Sequence, residues 1–503
     1  MQSRTKSGAI LVLAVGLTGF IGGGKAEAKA RTVDFNSDGN ADLVVGISSE
    51  PNDTDINVGA VEVIYGMDNK GLHVNHSQFW TTQLVFGEPG VENDFFGFAV
   101  ATGDFNHDGY TDLAMSAPGR EGLFKEDIGA VYVMYGSYAG LTPLHSQKFS
   151  RETPGVDGGA GRGDFFGFAM IAGDFNGDGR DDLAISARNV DIGHPRHPEL
   201  HILYGSANGL TASHDQRFQQ VDLDPTTATD DLNFGTVMAV GDFNRDGKDD
   251  LALGSPNRVD GVAVGAVYVM YGTSNGLKTN NVQLIEQGVD GVDGVPEAND
   301  GFGATLAAGD FNGDGRDDLA ITVPNDGDAG IVQVLYGRSG GLRSNDQQTW
   351  SQDTPGIRDA SEPGEAFGFA MAVGDFNKDG KDDLAISTPN ETVNGALGAG
   401  VVNVIYGSSH GLDDNGDQLW SQDSNKIKGS PGFMDFFGIA MTAGDYDNDG
   451  RDDLAIGASG DQLFGAVAVI YGKNSNGLNY AKNQLWNGNN LNQFLVEFGS
   501  AMK

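Results

Sequence analysis

Cysteine is absent from all 503 residues. No disulfide, thiolate nucleophile or cysteine-held metal is available, so another device must staple this chain. Basic side chains are scarce: 31 Lys and Arg face 70 Asp and Glu, for a formal net charge of −39. A surface of that sign repels nucleic acid and anionic membranes and draws cations. Beyond the N-terminus no apolar run reaches the length of a membrane helix, so no span is expected. Glycine is abundant instead, with 77 residues and no collagen-like period. An apolar content of 39% suffices for a core and sets the chain apart from disordered sequences.

Residues 1–30 read as a secretory signal peptide. Arg4 and Lys6 form the charged start, Ala9 to Ile21 the apolar run, and Ala26-Glu27-Ala28 or Ala28-Lys29-Ala30 the cleavage site. Gly16 and Gly19 interrupt the run, which is short for an anchor. Its removal takes away four cations and one acid and moves the net charge from −39 to about −42. The expectation is a secreted, extracellular or periplasmic protein and a monomer.

One unit recurs through residues 31–503. The cluster DFNGDGRDD at 174–182 returns at 34–42, 104–112, 242–250, 310–318, 375–383 and 445–453, in steps of 65 to 70 residues. Tyr-Gly keeps the same beat, from Tyr65 through Tyr135, Tyr204, Tyr271, Tyr336 and Tyr406 to Tyr471. Gly-Leu follows each Tyr-Gly, and then a Gln stands two places before a bulky residue such as Trp80, Phe149 or Trp350. Phe-Gly recurs from Phe96 to Phe498. Between the markers lie short β-rich segments parted by glycine turns. Ala130–Tyr135 is apolar on both faces, as a strand covered on both sides must be. Four strands per unit and stacked sheets predict an all-β, seven-bladed β-propeller. A linear solenoid is the competitor, but its end units would be complete. Here the first cluster lacks its Phe-Gly strand, and FGSAMK at 498–503 is that strand with no cluster after it. The termini therefore share a blade, and the ring is expected to close.

The acidic cluster spaces oxygen donors as a Ca²⁺ loop does, at positions 1, 3, 5 and 9 with a free carbonyl at 7 and Gly at 6. Position 1 is Asp34, Asp104, Asp174, Asp242, Asp310, Asp375 or Asp445. Position 3 is Asn36, Asn106, Asn176, Asn244, Asn312, Asn377 or Asp447. Position 5 is Asp38, Asp108, Asp178, Asp246, Asp314, Asp379 or Asp449. Position 9 is Asp42, Asp112, Asp182, Asp250, Asp318, Asp383 or Asp453. The carbonyls at position 7 belong to Asn40, Tyr110, Arg180, Lys248, Arg316, Lys381 and Arg451. An EF-hand needs a Glu at position 12, where this chain places apolar residues such as Ile185 and Leu253. Up to seven Ca²⁺ ions are expected, each in a hairpin between strands.

Phe-Gly, the nine-residue loop and a small-residue stretch ending in Pro (116–118, 254–256, 322–324, 387–389) together resemble FG-GAP repeats. Those repeats build the propeller of integrin α-subunit heads and of many secreted bacterial proteins. The resemblance implies Ca²⁺ loops at one end of the blades and ligand-binding loops at the other. Arg188 and Ser459 stand where the Pro is usual.

The candidate reaction centres are weaker. Ser274, Ser339 and Ser409 sit in G-x-S-x-G matches, but these fall in the repeated turn after Tyr-Gly and precede strands rather than helices. Arg162-Gly163-Asp164 spells a cell-attachment tripeptide, although an acid recurs at that place in other units. His194, His197, Glu199 and His201 form a possible second metal site in the third unit, where Pro195 and Pro198 oppose a helix that would align them. Trp80, Trp350, Trp420 and Trp486 offer sugar-stacking faces, or packing on the outer strands. The reading is a secreted Ca²⁺-binding propeller that holds an extracellular protein or glycan ligand through its loops, with no catalytic residue assigned. The alternatives are an extracellular polymer hydrolase or lyase and a lectin-like propeller.

Overall fold

The computed structural model describes residues 33–49, 57–123, 126–188, 197–225, 231, 233–260, 262–327, 329–461, 465–474, 476–487 and 501–502. The leader, His194 and Phe498 lie outside the described residues.

Seven four-stranded antiparallel sheets form the blades of a propeller. In the second blade the inner strand is Val100–Gly103, followed outward by Asp112–Ala117, Ala130–Tyr135 and Thr142–Phe149. The second and third strands are buried along their whole length, because a neighbouring blade covers each face. The inner strands touch in ring order, from 100–103 through 170–173, 237–241, 306–309, 371–374 and 437–444 to 501–502. Ala501–Met502 pairs antiparallel with Leu43–Ile47, matching Val45 to Met502 and Gly46 to Ala501. The split blade predicted from the termini is present, and the ring closes.

The core lies between blades rather than within them. Each apolar cluster joins two neighbours: Phe35, Val44 and Val63 of the first blade pack with Leu113, Met115 and Tyr132 of the second. Leu43, Val45 and Ile64 pack with Val467, Val469 and Tyr471 of the seventh. A single sheet would leave both faces exposed, so no blade is stable alone. The aromatic at loop position 2, from Phe35 to Tyr446, is at most 1% exposed. It wedges between blades beside the loop it helps to begin. Trp350, Trp420 and Trp486 are 6 to 8% exposed, which makes them outer-strand packing rather than sugar platforms.

Three of the sequence markers meet in one inter-blade clasp. Tyr65 Oη accepts the Leu141 N–H (3.0 Å) and donates to Gln78 Oε1 (2.5 Å), and Gln78 Nε2 donates to the Leu141 carbonyl (3.1 Å). The Tyr and Gln of one blade thereby hold the Gly-Leu turn of the next. Tyr135 and Gln147 hold Leu210 in the same way. Tyr471 and Gln484 of the last blade hold Leu72 of the first, at 3.3 and 3.0 Å. Buried Tyr hydroxyls and amides must find partners, and here each finds them in the neighbouring blade.

Candidate metal loops and the opposite face

Six acidic loops are the hairpin between the inner and second strands of a blade, and the loop at 34–42 leads into the second strand of the split blade, so all seven share one end of the ring. In the third blade, Asp174 Oδ1 accepts the N–H groups of Gly177 (2.7 Å) and Asp178 (3.0 Å), and Oδ2 accepts that of Gly179 (2.8 Å). Asp178 Oδ1 accepts the Arg180 N–H at 3.0 Å. These bonds curl the chain around a small concave space. The curl needs two left-handed residues, at positions 4 and 6. Position 6 is always Gly, with φ +85° at Gly179, but position 4 is also left-handed, with φ +73° at Gly177 and +60° at His107. The need at position 4 was not read from the sequence, because only some copies use Gly there.

The position 9 aspartate is the most enclosed of the set. Asp182 Oδ2 accepts the Phe175 N–H (3.1 Å) and Oδ1 the Gly205 N–H (2.9 Å), tying the loop to the Tyr-Gly turn. The same pair of bonds recurs in the other blades, as at Asp112 and Asp453. Burial, followed by the charges of the position 1 and 5 aspartates, pushes Asp112 and Asp182 up to about 8. Asp42, Asp250, Asp318, Asp383 and Asp453 are raised well above the ordinary value for the same leading reason.

The donor set fits a hard cation. Asn377 Oδ1 and Asp447 Oδ1, at position 3 of their loops, are buried without a hydrogen-bond partner. Asp445, Asp447 and Asp453 bring one carboxylate oxygen each to within 4.8 Å of one another, the span of ligands about 2.4 Å from a Ca²⁺ ion. In the third to sixth blades the position 3 amide nitrogen faces the position 9 carboxylate, as at Asn176 and Asn244. A half-turn of that amide presents oxygen instead.

Position 8 was not singled out in the sequence. Asp181, Asp249, Asp317, Asp382 and Asp452 each accept the position 1 N–H of the preceding blade, at 2.7 to 2.9 Å. Its acid in the last five copies was the available signal. The loops are thus linked edge to edge around the ring.

The described linkers before Phe-Gly lie at the opposite end, since the inner strand runs from Phe-Gly towards the loop. The RGD tripeptide belongs to this end. Asp164 is wholly buried there, and Arg162 is exposed beside Glu126 at 2.5 Å. The tripeptide therefore does not present both charges. Ser274, Ser339 and Ser409 stay in their turns, and the Ser409 hydroxyl lies 3.2 Å from His410 Nδ1.

Of the third-blade cluster, Glu199 and His201 come together as parts of an ion-pair network. Glu199 meets Arg151 and Arg217, each at 2.7 Å, and the two His201 nitrogens face Asp215 (3.1 Å) and Glu199 (3.5 Å). Burial opposes the His201 charge, but its hydrogen bonds to Asp215 and Glu199 prevail and raise its pKa. Stability from this charge is complete below about 6.5 and is lost as pH rises through the folded value. His201→Gln is expected to remove part of the loss between pH 6 and 8.5, measured as urea midpoints. Identical pH profiles for both proteins would assign the slope elsewhere.

A family model described as FG-GAP repeat matches residues 96–134, 166–196, 234–270, 302–335, 367–403 and 437–470. The chain is an FG-GAP repeat protein. Its propeller is of the integrin α type. Integrin alpha-PS2 of Drosophila melanogaster is 32% identical over 289 residues, 54% of this chain and 19% of that protein. Phosphatidylinositol-glycan-specific phospholipase D of Rattus norvegicus is 32% identical over 161 residues, 32% of this chain and 18% of that protein. The FG-GAP chain thus spans about a fifth of the length of these relatives. Among solved structures, the periplasmic gluconolactonase of Pseudomonas aeruginosa overlaps 92% of this chain and 98% of its own, at 13% identity and a TM-score of 0.45. No helix among the described residues is long and apolar enough to cross a membrane.

Proposed function

We propose that this FG-GAP protein is a secreted propeller, stapled by Ca²⁺ at one end and holding a protein ligand with the linkers at the other. The observation that carries the metal half is the buried, unpartnered oxygens of Asn377 and Asp447 among converging carboxylates. Loop positions 1, 3, 5 and 9 and the position 7 carbonyl would hold the ion. A bound cation supplies the charge that several enclosed aspartates otherwise lack. Export is supported by residues 1–30.

The ligand half rests on the Phe-Gly end. Leu397, Phe433 and Met434 are exposed there at 59, 67 and 49%, and the Met434 N–H donates to the Leu397 carbonyl. Adjacent exposed apolar residues mark interaction sites more often than solvent. The similarity to integrin alpha-PS2 supports a protein ligand rather than a small one. Binding is tested on immobilised extracellular-matrix proteins and glycans, with Ca²⁺ and with EGTA. Phe433→Ser with Met434→Ser should cut capture at least tenfold at an unchanged melting temperature. Capture that survives the double substitution places the ligand elsewhere. The hydrolytic reading rests on the phospholipase D relatives, and turnover of a phosphatidylinositol-glycan anchor by the purified chain would replace the adhesive one.

A further inference from the structure

The Phe-Gly end repeats a second polar device, and its composition changes around the ring. Two residues before the Phe-Gly phenylalanine stands a buried acid: Asp94, Asp164, Asp300, Glu365 and Asp435 are at most 5% exposed. Its carboxylate accepts an N–H from three residues earlier, as from Val91 to Asp94 (2.8 Å) and Glu362 to Glu365 (2.8 Å). In the second blade the facing position, two residues after the Pro, is Arg120, which meets Asp94 at 2.6 Å. In the third blade the cation comes from Arg151, 3.9 Å from Asp164. At both places the chain supplies the counter-charge.

The sixth blade does not. Glu391 replaces the arginine of the second blade, and Gln352 stands where Arg151 does. Glu362, Glu365 and Glu391 bring one carboxylate oxygen each to within 4.8 Å of one another. Glu365 and Glu391 are 5 and 6% exposed, while Glu362 opens the cluster to solvent. Gln352, 1% exposed, points its amide into the group: Nε2 lies 3.3 Å from Glu391 Oε2, and Oε1 is buried without a partner. Among the described residues no Lys, Arg or His pairs with any of the three glutamates. Buried carboxylates without a counter-charge are costly, and either a proton shared between Glu365 and Glu391 or a cation from solution relieves that cost.

We propose that Glu362, Glu365, Glu391 and Gln352 form a Ca²⁺ site at the Phe-Gly end, separate from the acidic loops. The donors are all oxygen, which excludes the nitrogen and sulfur chemistry of zinc and favours a hard ion. A mutual spacing of up to 4.8 Å suits ligands 2.3–2.6 Å from the metal, and the exposed side leaves room for water. The amide of Gln352 joins by a half-turn that brings Oε1 to the ion. The ion ties three segments together: the tail of the fifth blade, the linker before Phe367 and the hairpin carrying Glu391. The fifth and seventh blades repeat the pattern, with Gln287 on Asp326 (2.5 Å) and Gln422 on Asp461 (3.0 Å), and both amide oxygens are again unpartnered. At the Phe-Gly end, only the sixth blade gathers three carboxylates among the described residues.

The test uses the full chain and Ca²⁺ alone. Equilibrium dialysis of radioactive Ca²⁺ into the stripped protein should show one ion fewer for Glu365→Gln with Glu391→Gln than for the parent. Equal stoichiometry in a variant that melts like the parent in EGTA overturns the site. Crystals of the parent grown in Ca²⁺ give a second reading by long-wavelength anomalous scattering. A peak among Glu362, Glu365 and Glu391 supports the site, whether or not the acidic loops are occupied. Peaks in the loops with none here overturn it and leave the loop assignment standing. No peak at either place overturns both.

Discussion

Excess EGTA is expected to lower the melting temperature of the FG-GAP propeller sharply, by 10 °C or more. For a Kd of about 10⁻⁴ M and about 10⁻³ M free Ca²⁺, linkage gives roughly 1.4 kcal/mol per site. Seven loops would then contribute about 10 kcal/mol, comparable to the stability of a whole domain. The pH dependence provides an independent check. Asp112 and Asp182 are raised from 3.8 to about 8, chiefly by burial. A carboxyl raised on folding binds its proton more tightly in the native state. Its stabilising effect is complete below about 3.8 and is lost as pH rises through about 8. The melting temperature in EGTA should therefore fall between pH 5 and 8.5. Ca²⁺ competes with those protons, so its increment should grow over the same range. Scanning calorimetry at three pH values with and without Ca²⁺ reads both effects. A melting curve indifferent to EGTA at every pH would sink the metal-staple reading.

Gly71→Ala is expected to destabilise the ring by about 3 kcal/mol, although the site is only a turn. Gly71 has φ +76°, and a Cβ there would lie 1.8 Å from the Tyr471 hydroxyl, the atom that joins the last blade to the first. The substitution adds left-handed strain and dislodges Tyr471 from Leu72 and Gln484. Gly411→Ala, which meets Tyr336 at 1.8 Å between the fifth and sixth blades, should cost about the same. Gly416→Ala is the control: φ is +98°, but nothing lies within 4 Å, so only about 1 kcal/mol of backbone strain is expected. Guanidinium denaturation separates the three. A much smaller loss for Gly71→Ala than for Gly411→Ala would show that the closing clasp is not equivalent to an internal one.

Much of the architecture could be read directly because repetition turns weak signals into strong ones. A single DFNGDGRDD describes a turn, whereas seven in register describe a unit, and the incomplete first and last units require a shared blade. The pairing of Ala501–Met502 with Val45 and Gly46 is the physical form of that inference. Tyr-Gly, Gly-Leu and the Gln two places before a bulky residue were visible as markers with no assigned purpose. The partners they join lie 59 or more residues apart, as Gln283 and Leu342 do, and no local periodicity links a side chain to a backbone group in the next unit. Position 8 was overlooked for the same reason: Asp181 serves the N–H of Asp104, in another blade.

Composition and repetition by themselves determined the all-β class, the number of units, the ring closure and the oxygen-rich loops, because each depends on spacing within one unit or on a count of units. Only the tertiary structure decided which polar groups are enclosed and what faces them. It buried Asp164 of the RGD tripeptide, turned Glu199 and His201 into an ion-pair network, and gathered Glu362, Glu365, Glu391 and Gln352 from two blades. The reason is desolvation. The energy of a charge is set by what the fold places around it, and in a propeller those neighbours come from the adjoining repeat.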